Sequence, residues 1–180
     1  KNLKFPDICR IYGPVTLNGV ANVRGLTLGQ DGTLYGINYD LGVVLSIDTE
    51  TGDVTELVDV GTTAAGPLMD LATRHDGMMY AVSVVNTGSP VAISTVWEID
   101  PYSDPASANQ VFQVSEDYTS IGLMGFNRLA LYNRDGLKVD TFDIENYAVI
   151  GSEQFTLTGL DNKSLFDMTG SATELGTRID

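Results

Sequence analysis

The chain repeats itself, and the unit that recurs is too short to fold alone. Its clearest copy runs Asp31-Gly32-Thr33-Leu34-Tyr35-Gly36-Ile37, then Val43-Val44-Leu45-Ser46-Ile47-Asp48, then Thr51-Gly52-Asp53-Val54. A second runs Asp76-Gly77-Met78-Met79-Tyr80-Ala81-Val82 and closes on Trp97-Glu98-Ile99-Asp100. The third replaces Asp-Gly by Phe126-Asn127 and closes on Phe142-Asp143. A fourth is laid on Leu160 to Met168 and closes on Ile179-Asp180. The closing pairs at 47/48, 99/100, 142/143 and 179/180 are separated by 52, 43 and 37 residues. Short alternating segments between turn signals are strands, and Asp-Gly supplies the positive-φ residue of a tight hairpin. One such hairpin is unstable in water, so the units must stack on one another.

A period of this length suits a four-stranded propeller blade, and the expected fold is an all-β propeller of about four blades over residues 1–180. A sandwich also strings short strands together, but its strands need not repeat in sequence. The apolar segment from Ile8 to Leu17 belongs to no repeat. It leaves two readings open: residues 1–23 supply the missing strand of the last blade and close the ring, or the chain is a fragment of a larger propeller.

The repeats resemble those of quinoprotein-like, NHL-like and gluconolactonase-like propellers over most of residues 24–180. That resemblance implies an architecture and not an activity, because such folds carry enzymes, lectin-like binders and scaffolds alike. It transfers no catalytic residue: Trp97 is the sole Trp, so the tryptophan-docking repeat of quinone-dependent enzymes is missing.

Charge narrows the partners. Twenty-four acidic against ten basic residues give a formal net charge of −14, which repels nucleic acid and anionic membrane surfaces and attracts cations and basic proteins. No stretch approaches the length of a membrane span. With one Cys and one His, Cys9 and His75, a zinc hydrolase has too few ligands, and no phosphate-binding glycine motif is present. Asp48, Glu50 and Asp53 place three carboxylates within six residues. Oxygen ligands so spaced suit calcium, although a turn closing the strand at Asp48 explains them equally. No other cofactor is expected.

In a propeller, ligands commonly meet the loops that enter the innermost strand and join the second strand to the third. Those loops offer Arg24, Tyr39, Asp40, Asn86, Asp117, Tyr118, Asn133, Arg134 and Asp135 as binding-face candidates. The expected function is a non-enzymatic binding or structural module that presents this face to a protein or glycan, within an oligomer or larger assembly. The alternative is a calcium-dependent propeller hydrolase or lactonase using carboxylates scattered over several blades. Extracellular or periplasmic residence is favoured over cytoplasmic.

Overall fold

The computed structural model describes residue 20, residues 22–60 and residues 66–154. Within them the chain forms three four-stranded antiparallel sheets, each ordered as its strands occur in the sequence. Sheet 1 comprises β1 (Val23–Leu28), β2 (Leu34–Asn38), β3 (Val43–Ile47) and β4 (Val54–Asp59). Sheet 2 holds β5 (Leu68–Thr73), β6 (Met79–Val85), β7 (Ile93–Asp100) and β8 (Ser107–Val114). Sheet 3 holds β9 (Tyr118–Met124), β10 (Arg128–Asn133), β11 (Lys138–Asp143) and β12 (Val149–Gln154). The fourth repeat, Cys9 and nearly all of the 1–23 segment lie outside the described residues; Val23 opens β1.

The sheets pack face to face because the middle strands are apolar on both sides. In β6, Tyr80, Val82 and Val84 enter a core shared with Ile121, Leu129, Leu131 and Phe142 of sheet 3. Met79 and Ala81, pointing the other way, join Tyr35, Ile37 and Val44 of sheet 1. One strand thus feeds two cores through its period of two residues. Each large side chain fully buried this way contributes about 1.5–3 kcal/mol. The fourth strands are different: every residue of β12 is exposed. First strands lie close together while fourth strands barely meet, so the sheets fan outward.

Polar contacts tie the first strands. Thr27 Oγ1 and Thr73 Oγ1 lie 3.0 Å apart, and the Thr73 N–H donates to Thr27 Oγ1 at 3.2 Å. Asp70, fully buried in β5, accepts from Ser120 Oγ at 2.6 Å and from the Ile121 N–H at 2.9 Å.

The two ends of the fan use different turn chemistry. At one end, five of the six hairpins are capped by an Asp whose Oδ1 accepts backbone N–H groups two or three residues on. These are Asp31, Asp48, Asp76, Asp100 and Asp143. The recurring Ile-Asp and Phe-Asp pairs are therefore strand ends followed by side-chain-capped turns. Gly32 and Gly77 sit at φ 83° and 91°, as their Asp-Gly turns require. At the opposite end Asn38 caps Asp40 and Leu41, and Asn133 caps Gly136. Asp100→Ala or Asp143→Ala should each lower stability by about 1 kcal/mol, whereas Asp→Asn keeps the acceptor and most of that stability. Thermal unfolding of the four variants separates capping from charge.

Candidate functional site

The Asn-capped end gathers the expected binding-face residues. It is built from the β2–β3 loop (39–42), the β6–β7 loop (86–92), the β10–β11 loop (134–137), residues 66–67 before β5 and residues 115–117 before β9. Against sheet 1, the Arg24 guanidinium lies over the Tyr39 ring, 3.9 Å from its centroid, a cation–π contact. Asn22 Nδ2 donates to Asp40 Oδ1 at 2.9 Å. Next to Tyr39 opens a cleft of about 400 Å3 whose other walls include Gly66, Pro67, Val84, Val85 and Asn86. Tyr39 and Asn86, distant in sequence, are brought to one cleft by the packing of sheet 1 on sheet 2.

Three other candidates are turned to internal use. Asp117 is buried and accepts from Thr87 Oγ1 at 2.9 Å, the Gly88 N–H at 2.7 Å and Arg134 Nη2 at 2.5 Å. It ties the β6–β7 loop of sheet 2 to sheet 3. Asn133 is fully buried, and its Nδ2 donates to Glu116 Oε2 at 2.5 Å. Tyr118 is buried with its hydroxyl donating to Asp140, which also takes Lys138 Nζ at 2.9 Å. Of the nine candidates, Asp40, Asn86 and Asp135 are exposed, while Arg24, Tyr39 and Arg134 are half-buried.

Tyr118, Asp140 and Lys138 form one charged, hydrogen-bonded group at this end. Burial, then the hydrogen bond to Asp140, pushes the Tyr118 phenol up, keeping it neutral. Burial pushes the Asp140 carboxyl up too, but hydrogen bonds from Ser152, Tyr118 and Lys138 outweigh it and hold the group below its ordinary value. The hydrogen bond to Asp140 leads the effects that raise Lys138. In these three groups each shift deepens the protonation state already held at neutral pH.

Sequence reading missed the apolar residues of these loops. Leu41, Val91 and Leu137 occupy the three loops between second and third strands, and they are 55%, 64% and 42% exposed. Their signal in the sequence is an aliphatic residue inside an otherwise polar loop, repeated in all three units.

The calcium candidates lie at the other end. Asp48 and Asp53 share a cleft of about 480 Å3 with Asp31, and Glu50 is not among its lining residues. Asp48 Oδ1 is taken by the backbone N–H groups of Glu50 and Thr51, and those hydrogen bonds hold its carboxyl below the usual range. Among the described residues, no three His, Cys, Asp or Glu side chains are grouped to hold a metal ion.

Known structures share the arrangement. A nidogen/laminin complex superimposes with a TM-score of 0.63 at 12% identity over 86% of this chain and 54% of that one. A streptogramin B lyase gives 0.55 at 14% over 82% and 44%. The β-propeller domain of Cps50 (Swd1) from Myceliophteria thermophila gives 0.51 at 9% over 73% and 43%. The chain is a β-propeller. No protein-family model matches it, and no curated protein does. The chain spans about half the length of the first two of these structures, 54% and 44%. The three sheets are three blades of the propeller, with β1, β5 and β9 as innermost strands, and the Asn-capped end is the face that carries the Tyr39 cleft.

Proposed function

We propose that this propeller is a non-enzymatic binding module that docks a protein through its Asn-capped loop face. The observation that carries the reading is the exposed aliphatic residue at each of three equivalent loops, Leu41, Val91 and Leu137, beside the Tyr39 cleft. Exposed apolar side chains rimmed by polar ones are what protein interfaces bury. A glycan would use the Tyr39 ring and the planar side chains of Asp40 and Asn86, but would leave the three aliphatic side chains without a role. Asp117 supports the reading by clamping the β6–β7 loop through Thr87 and Gly88, so Val91 is carried on a loop held in place before binding. The fold is neutral between readings, since its neighbours include one described with laminin and one described as a lyase.

Photo-crosslinking tests it. A crosslinkable residue at Leu41, Val91 or Leu137 should give one discrete protein adduct in an extract of the cells that make the chain. The same residue at Thr49, on the opposite face, should not give that adduct. No adduct, or the same adduct from both faces, would remove the proposal.

The alternative, a calcium-dependent hydrolase or lactonase, draws on the cleft lined by Asp31, Asp48 and Asp53. Native mass spectrometry with and without chelator decides it: a calcium-sized mass difference lost on chelation, with turnover of a lactone, would replace the binding reading.

A further inference from the structure

The opposite, Asp-capped face has a different chemistry. Tyr102, 53% exposed on the β7–β8 loop, covers the β5–β6 turn so closely that a Cβ on Gly77 would fall 2.5 Å from its ring. Burial, then the charges of Asp31 and Asp100, push its phenol up. Two residues before Gly77, the His75 ring meets Phe126 edge-on, with centroids 4.6 Å apart. Phe126 is 50% exposed on the β9–β10 loop of blade 3, and Met124 beside it is 48% exposed. An aromatic strip therefore runs across this face from blade 2 to blade 3, and its Tyr, Phe and neighbouring Met are residue types that protein interfaces favour.

The strip lies in a strongly negative setting. Among the described residues, counting each loop with its flanking strand-end residues, this face carries nine carboxylates against two arginines, Arg74 and Arg128. By the same count the Asn-capped face carries five carboxylates against Arg134 and Lys138. The difference has a structural origin, since Asp caps the turns at one end and Asn at the other. Its consequence is a face where exposed aromatic rings share the loops with carboxylates, and both groups attract Lys and Arg: the rings through cation–π contact, the carboxylates through paired hydrogen bonds.

We infer that the Asp-capped face is a second docking surface, one that takes a Lys/Arg-rich segment of a protein partner along the Tyr102–His75–Phe126 strip. The segment lays basic side chains over the rings of Tyr102 and Phe126 and pairs others with turn carboxylates such as Asp31 and Asp100.

The test must separate this strip from the general pull of an acidic protein on any polycation. The probe is a fluorescein-labelled peptide of alternating Lys-Gly and Arg-Gly pairs, followed by anisotropy, with a Glu-Gly peptide as its acidic twin. Tyr102→Ser/Phe126→Ser keeps the net charge and should weaken binding about tenfold. Leu41→Ser/Val91→Ser, on the other face and equally neutral, should leave it unchanged. Equal affinity in both double variants, or equal binding of the acidic twin, would overturn the inference. Should the serine variant fail to fold, Tyr102→Leu/Phe126→Leu keeps the apolar volume, removes the rings and carries the same expectation. Since the loop-face variants serve as controls here, failure of this surface is distinguishable from failure of the other.

Discussion

Truncation of Asp70 to alanine is expected to lower stability by roughly 3 kcal/mol, with a fall in melting temperature on the order of 10 °C. Asp70 is fully buried on the innermost strand of blade 2. Its Oδ2 takes the Ser120 hydroxyl and the Ile121 N–H of blade 3, and its Oδ1 takes the Leu71 N–H. On its other side, blade 1 comes so close that a Cβ on Gly25 would fall 2.9 Å from the Asp70 Cα. Removing the carboxylate strands a backbone donor where water does not reach, and does so where three blades meet. Asp70→Asn keeps an acceptor of the same shape and should lose about half as much. Trp97, the sole Trp, hydrogen-bonds Ser83 within blade 2 and reports the unfolding. A shift below about 2 °C for the alanine variant would show that the contact does not hold the blades together.

Gly66→Ala is expected to cost about as much, for a steric reason. Gly66 has φ +76°, and a Cβ there would stand 2.2 Å from the Val84 carbonyl oxygen and 2.5 Å from its carbon. The obstacle is the backbone of a central strand, held in place because the Val84 N–H donates to the Pro67 carbonyl at 3.2 Å. Neither side can yield without breaking that bond, so the left-handed conformation and the clash add to roughly 3 kcal/mol. Gly32→Ala isolates the first effect. Its φ is +83° with nothing within 4 Å of the added Cβ, so it should cost only about 1–2 kcal/mol. Chemical denaturation of the two variants compares them directly, and equal midpoints would mean that the Val84 clash is relieved by local movement. Because Gly66 also lines the Tyr39 cleft, its alanine variant should reduce partner crosslinking at Leu41 as well.

The strands most legible in the sequence were those buried on both sides. β2, β3, β6 and β10 appear within a residue or two of the segments around Leu34, Val43, Met79 and Leu129. The outer strands left little trace: every residue of β12 is exposed, and β8 mixes half-buried with exposed residues and has no fully buried one, so neither shows a clean alternation to read. For the candidate site, loop positions were legible and loop roles were not. Asp117, Tyr118 and Asn133 have the composition of a recognition surface, yet they are buried and tied to Arg134, Asp140 and Glu116.

What the sequence by itself determined is the repeat, the antiparallel pairing inside each blade and the Asp-capped turns. These depend on interactions within a few residues, a period of two along a strand and a carboxylate reaching backbone donors two or three positions on. What only the tertiary structure decided is which polar groups are consumed at the seams between blades and which side chains remain for a partner. Asp70 with Ile121, Tyr39 with Asn86 and His75 with Phe126 are each joined across dozens of residues. Such pairs exist only once one blade has packed on the next, because the contact is set by the geometry of the packed sheets and not by spacing along the chain.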